Sequence, residues 1–174
     1  MKSKSYLLIV LLGLMASCQR DKREMLVQNW HAVALDNPQM NVLVAQQQQF
    51  IDTVGKGTDV ATNLATYGTT NMDSFKKDLQ IQLDSFKMLQ QQTLTDTWFN
   101  FKKNGTAILT FNGVDNKSKW YFDDEGNLIL DEIKEKSTSD HLKMNMIELN
   151  DTLLKLKFTQ QGQESIVTFV PGKK

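Results

Sequence analysis

Residues 98–122 read WFNFKKNGTAILTFNGVDNKSKWYF and alternate apolar and polar side chains around a tight-turn signal. Asn104-Gly105 separates two of the alternating runs, and these residue types tolerate the positive backbone φ angles that tight hairpins require. A period of two residues places successive side chains on opposite faces of a strand. The stretch therefore predicts an antiparallel hairpin with one apolar face.

The same alternation continues to the end of the chain and occurs once before it. Turn residues separate nearly all of the segments. The predicted strands cover residues 25–35, 97–102, 106–112, 118–122, 127–133, 142–149, 153–159 and 165–170. Eight sequential antiparallel strands with short turns close most economically into an up-and-down barrel, which has no free edge. The interior of a barrel of this size is either filled by side chains or holds one small ligand.

Residues 37–93 replace the alternation with helical spacing. Asn37-Pro38 predicts a helix start, and a weaker pattern at residues 58–69 is compatible with a short helix. A third helix begins near Thr70 or Asn71, and its apolar stripe is expected to pack on the barrel: Met72, Phe75, Leu79, Leu83 and Phe86. The expected fold class is mainly β with a helical insertion (α+β). It is an eight-stranded antiparallel up-and-down barrel with helices between its first and second strands.

The first 18 residues have the charged, apolar, small-residue order of a secretory signal. Lys2 and Lys4 precede an apolar run at residues 6–15, which is about half of the roughly 20 residues needed to cross a bilayer. We therefore expect the segment to be removed. Cys18 is the only cysteine in the sequence, so a disulfide within the chain is impossible.

Residues 14–18, LMASC, resemble the lipobox of bacterial lipoproteins. The resemblance implies a signal peptide at residues 1–17, lipid on Cys18 and a lipidated tether at residues 18–24. A single domain would follow at residues 25–174. Gln19 replaces the aspartate that retains some lipoproteins at the inner membrane, which favours the outer membrane, facing the periplasm. The alternative is an ordinary secreted protein that is cut after Ser17.

A second resemblance covers the predicted strands. Its residues are Trp30 in the first strand, FNFKKNGT at 99–106, KWYF at 119–122 with GNL at 126–128, and VTF at 167–169. Together they resemble the lipocalin-like lipoproteins of bacterial envelopes. Lipocalins usually have glycine where this chain has Gln28. They also place an arginine of the last strand over the first tryptophan, where this chain offers Lys173.

Charge and motif content argue against several classes of function. The 20 basic and 20 acidic residues form no long basic block, and loss of Lys2 and Lys4 leaves a slight acidic excess, so nucleic acid is not an expected partner. The only histidines, His31 and His141, lack a Gly-x-Ser-x-Gly nucleophile motif, so an enzyme is not expected. No cofactor is implied.

Clustered carboxylates do not form a metal or acid–base site by their spacing. Residues 123–125, Asp-Asp-Glu, are adjacent instead of alternating and cannot all point at one ion as a calcium loop requires. Asp131 and Glu132 are strand neighbours and face opposite sides of the sheet. A solvated turn and a strand end explain both groups.

Aromatic side chains of the predicted strands line or fill the barrel. They are Trp30, Trp98, Phe101, Phe111, Trp120, Tyr121, Phe122, Phe158 and Phe169. If they line a cavity, the protein is a non-enzymatic binding module for a small apolar or amphipathic ligand. If they fill the barrel, the protein is an accessory subunit that docks onto an outer-membrane protein complex. In either case lipid on Cys18 provides the membrane contact.

Overall fold

Eight antiparallel strands follow one another around a closed barrel, in which the last strand pairs with the first. The computed structural model describes residues 21–133, 141–160 and 162–173, so the predicted signal peptide and Cys18 lie outside the described residues. The strands are β1 Asn29–Asp36, β2 Trp98–Phe101, β3 Thr106–Phe111, β4 Val114–Phe122, β5 Leu128–Glu132, β6 His141–Leu149, β7 Leu154–Gln160 and β8 Gln163–Pro171. The predicted up-and-down barrel is confirmed.

Two strands begin four residues away from their predicted starts, and the other strand boundaries agree with the prediction within two residues. The first strand begins at Asn29, because Lys22–Leu26 form a short helix, α1, capped by the Asp21 side chain at 3.0 Å from the Arg23 amide. The last residues of the predicted tether are therefore helical. The fourth strand begins at Val114 instead of residue 118, because Asn112 and Gly113 both adopt positive φ angles and close a two-residue turn.

Three helices connect β1 to β2, as predicted. They are α2 Pro38–Thr53, α3 Val60–Tyr67 and α4 Met72–Thr95. The Asn37 side chain accepts a hydrogen bond from the Met40 amide at 2.9 Å, and Asn71 caps α4 in the same way. Among the described residues, no helix has the length and apolar content of a membrane span.

The apolar stripe of α4 faces the other helices, so its expected packing on the barrel is wrong. Phe75 lies against Tyr67 of α3 with ring centroids 5.7 Å apart. Leu79, Leu83 and Phe86 face α2. The helices reach the barrel at β1 and β8, and their own buried residues, Ile51, Val54 and Leu83, are separate from the cluster inside the barrel.

One end of the barrel is closed by α1. Leu26 is fully buried in the barrel cluster, and its carbonyl oxygen accepts a hydrogen bond from Trp30 Nε1 at 2.9 Å. The turns at residues 102–105, 123–127 and 150–153 surround this closed end. At the opposite, open end, β1 leads into α2, α4 leads into β2, and the Asn112-Gly113 turn joins β3 to β4.

Candidate functional site

Four large apolar side chains form an exposed ring at the open end, which we call the mouth: Leu35, Phe111, Val114 and Leu142. Their strand partners show that they face the interior. Leu142 pairs with Leu130, which pairs with Trp120 of the core. Leu35 pairs with Val167, and Phe111 pairs with Val114. Apolar side chains of the inner wall therefore reach the open edge of the barrel, where the polar Asn116 and Glu132 share the same inner face.

The floor of the mouth is the aromatic core. Phe99 lies 5.7 Å from Phe111 and 4.7 Å from Phe169 between ring centroids. Phe101 lies 5.6 Å from Trp120 on the same measure. All of these rings except Phe111 are buried. Side chains therefore fill the barrel near the closed end, and the large inward-facing side chains that remain exposed lie at the open end.

A few polar groups interrupt the apolar wall. Ser118 pairs with Ala107 of the inner face, and Ser165 pairs with Phe158; both serines are buried. The Asn37 side chain donates a hydrogen bond to Ser165 Oγ at 2.9 Å. Ligand pockets typically combine an apolar lining with a small number of such placed polar groups.

Two cavities include a residue of the mouth in their lining. One of about 180 Å³ lies where the helices meet the barrel, and Leu35, Met40, Lys87 and Leu94 line it. The other, of about 390 Å³, lies between β6 and β7 and opens on the outer face, where His141 and Lys143 border it. Leu142 and Phe158 line its apolar side, with Lys143 and Lys157 among its polar residues. Leu35 and Leu142 thus each border both the mouth and a cavity.

The aromatic residues proposed from the sequence occupy different places. Trp30, Phe101, Trp120 and Phe169 are buried in one cluster, and Phe122 and Phe158 pack partly against it. Phe111 lies at the mouth. Tyr121 and Trp98 lie on the outer face, away from the buried aromatic cluster. Tyr121 is exposed, and Trp98 stacks on His31 with ring centroids 4.2 Å apart.

Sequence reasoning missed Phe99 in the core and Leu35, Val114 and Leu142 at the mouth. Parity identifies Phe99, because it shares a strand face with Phe101 and not with Trp98. Val114 lies between two predicted strands, 106–112 and 118–122, so no strand face is predicted for it. For Leu35 and Leu142, no signal in the sequence distinguishes a mouth residue from a core residue.

A polar cluster at the closed end uses the carboxylates of the 123–127 turn. Lys143 Nζ forms ion pairs with Asp123 at 3.0 Å and with Glu125 at 2.8 Å. Burial raises the pKa of Asp123, but hydrogen bonds from Asn127 and from Lys143, with the charge of Lys143, outweigh burial and lower the pKa to about 2. A lysine thus occupies the position between these carboxylates.

The two histidines lie apart. His31 Nε2 is 3.0 Å from the carbonyl oxygen of Thr95, and His141 contacts Asp131 through Nδ1 on the outer face. Burial, followed by the charge of Asp131, raises the pKa of the neighbouring Tyr121.

Asp131 and Glu132 face opposite sides of the sheet, since Asp131 pairs with Lys119 and Glu132 with Ser118. Within the described ranges, no group of three His, Cys, Asp or Glu residues is placed to hold a metal ion.

One solved structure resembles this fold. It is the crystal structure of a DUF4847 family protein from Bacteroides vulgatus, with a TM-score of 0.44 and 10% sequence identity, covering 85% of this chain and 94% of that chain. Neither a family model nor a curated protein matches the sequence.

Proposed function

We propose that this chain is a membrane-anchored lipoprotein whose barrel is a non-enzymatic binding module for a small apolar or amphipathic ligand. The mouth is the observation that carries the proposal. Leu35, Phe111, Val114 and Leu142 keep large apolar surfaces exposed to water on the inner wall of a barrel. Exposed apolar side chains lose unfavourable contact with water when a ligand covers them.

The polar groups of the mouth favour an amphipathic ligand over a purely apolar one. Asn116 and Glu132 face the barrel interior beside the apolar wall, because Asn116 pairs with Leu109 of the core and Glu132 pairs with the buried Ser118. Lys87 lines the cavity at the base of the helices. A ligand with an apolar body and a polar end would therefore match both parts of the site.

The ligand site is tested with 1-anilinonaphthalene-8-sulfonate, an amphipathic fluorophore. Phe111→Ser should weaken its binding by about tenfold, since this change removes an apolar side chain from the mouth. Tyr121→Ser is the matched control, because Tyr121 is 41% exposed on the outer face and Phe111 is 38% exposed at the mouth. Equal binding by the two variants would refute the mouth as the ligand site.

The anchor is tested separately. Cys18→Ser should abolish acylation and release the protein from membranes, because lipid on Cys18 is the proposed attachment. A variant that still sediments with membranes after a carbonate wash would contradict this. The proposed site is the outer membrane, facing the periplasm, so protease added to intact cells should leave the protein uncut. Digestion under those conditions would place it on the cell surface.

Docking onto an outer-membrane protein complex is the second candidate function. The observation that favours it is an exposed apolar groove between α2 and α4, away from the barrel interior. This candidate requires a different envelope protein in the groove. Cross-linking in the native membrane that joins the groove to such a protein would support this function over ligand binding.

A further inference from the structure

The helical insertion carries a groove of about 480 Å³ between α2 and α4. Each helix contributes four residues at positions i, i+3, i+4 and i+7, starting at Met40 on α2 and at Leu79 on α4. Leu83 forms the buried floor, while Leu43 is 58% exposed and Phe86 is 38% exposed on the walls. We call this surface the helix groove.

The same spacing on both helices indicates what shape fits the groove. Positions i, i+3, i+4 and i+7 form one face of a helix, and such faces interlock with other helices in coiled coils and bundles. The two helices run antiparallel, since α2 leaves the barrel and α4 returns to it. The hydrogen bond from Gln48 to Gln80, at 3.1 Å, joins their middle parts. The natural occupant of the helix groove is another helical surface.

The absence of charge along the helix groove favours a second copy as its partner. Within the described residues, those that line the helix groove carry no charge, and its polar members are Gln47 and Gln82. The sequence of α2 contains one charged residue, Asp52, among 16, and the six charged residues of α4 all lie outside the groove lining. A two-fold axis brings the same surface of both copies together, so charged residues near the axis would repel their own copies. An uncharged, glutamine-edged groove meets this condition.

The size of the surface fits a weak dimer. With 16 residues, α2 is about 24 Å long, and two adjacent helices are about 20 Å wide, so the face covers about 500 Å². Two such faces together bury about 1,000 Å², which lies at the small end of the range for specific interfaces, where weak and reversible complexes are found.

We propose that a second copy of this chain occupies the helix groove, so that α2 and α4 of two protomers form a four-helix bundle. Four-helix bundles built from two helical hairpins use this type of apolar seam. The interface leaves the mouth of each barrel free for a ligand. It therefore extends the proposed function without depending on it.

Sedimentation equilibrium of the purified full chain tests the proposal, with detergent present if lipid is attached. The parent should sediment as two chains. Leu43→Glu should raise the dimer Kd by at least about tenfold, because it places a charge in an apolar interface. Met88→Glu is the matched control: Met88 is 64% exposed on α4 and does not line the groove. It should leave the Kd unchanged.

Gln47→Glu is a second variant, which adds a charge without removing an apolar contact and should also raise the Kd. Thermal melting by circular dichroism checks that the variants fold, since Leu43 and Met88 are exposed. A parent that stays monomeric up to about 100 µM, far above the Kd of specific complexes, would overturn the proposal. An unchanged Kd in both groove variants, or a different protein cross-linked to the groove in the membrane, would overturn it as well.

Discussion

Arg23 lies over the ring of Trp120, with its guanidinium carbon 4.7 Å from the ring centroid. This contact joins α1 to β4 at the closed end of the barrel. The arginine belongs to the segment before the first strand and the ring belongs to the fourth strand, so the contact ties the start of the described chain to the barrel wall.

Arg23→Ala should lower the free energy of unfolding by about 0.5–1 kcal/mol, the usual value of an exposed cation–π contact. Lys22→Ala is the control, because Lys22 is an exposed neighbour on the same helix. Urea unfolding monitored by tryptophan fluorescence measures both variants. Equal midpoints for the two would show that the contact with Trp120 does not stabilise the closed end.

The helical insertion should depend on its own small core. Ile51 is buried between the helices, and Ile51→Ala should cost about 2–4 kcal/mol because it leaves a cavity. Val42→Ala, at an exposed position of the same helix, should change stability by less than about 0.5 kcal/mol. Hydrogen exchange should show faster exchange in α2 and α4 of the first variant, while the β1–β8 pairing stays protected. Equal exchange in both variants would contradict the separate core.

Asp123 should make the closed end sensitive to acid. Its pKa falls from the usual 3.8 to about 2 in the folded protein, so the folded state binds the proton more weakly than the unfolded state. The contribution of ionised Asp123 to the free energy of unfolding is complete above about pH 4 and is lost as the pH falls towards 2.

Lys143→Ala should raise the pKa of Asp123 and reduce this loss of stability, because Lys143 forms ion pairs with Asp123 and Glu125. A carboxyl-carbon NMR titration measures the pKa, and urea unfolding at several pH values measures the stability. Asp124→Asn is the control at an exposed position of the same turn. An unchanged Asp123 titration in the lysine variant would contradict the assignment.

The Asn112-Gly113 turn should fix the register of β3 and β4. Gly113 has a φ of 78°, so Gly113→Ala should cost about 1–2 kcal/mol through steric strain. Lys117→Ala, on the following exposed strand, should have little effect. Denaturant unfolding compares the two. A Gly113 variant as stable as the parent would show that the turn relaxes without strain.

The sequence predicted the strands, the helices between the first two of them and their order because alternating and helical periodicities are visible in the corresponding segments. It failed where an element was shorter or more exposed. α1 has five residues and reads as the start of a strand, since Leu26 and Val27 continue the apolar pattern. Residues 114–117 of β4 are largely exposed at the open end, so no alternation between buried and exposed side chains marked them.

The mouth could not be predicted for a related reason. Phe101 and Phe111 both face the barrel interior, yet one is buried and the other is exposed. The difference is their height along the barrel axis, which depends on where α1 closes the barrel. The alternation of side chains along a strand separates inner from outer residues, as for Trp98. It does not indicate how far along the barrel axis a residue lies.

The position of α1 also determines how the barrel would be oriented relative to a membrane. Cys18 lies three residues before Asp21, so a lipid on that cysteine would hold the closed end within about 10 Å of the bilayer surface. The mouth would then point away from the lipid phase, at the far end of the strands. A ligand of the proposed kind would enter and leave the mouth through water or from a soluble carrier. The bilayer would then hold the protein in place but would not supply the ligand directly.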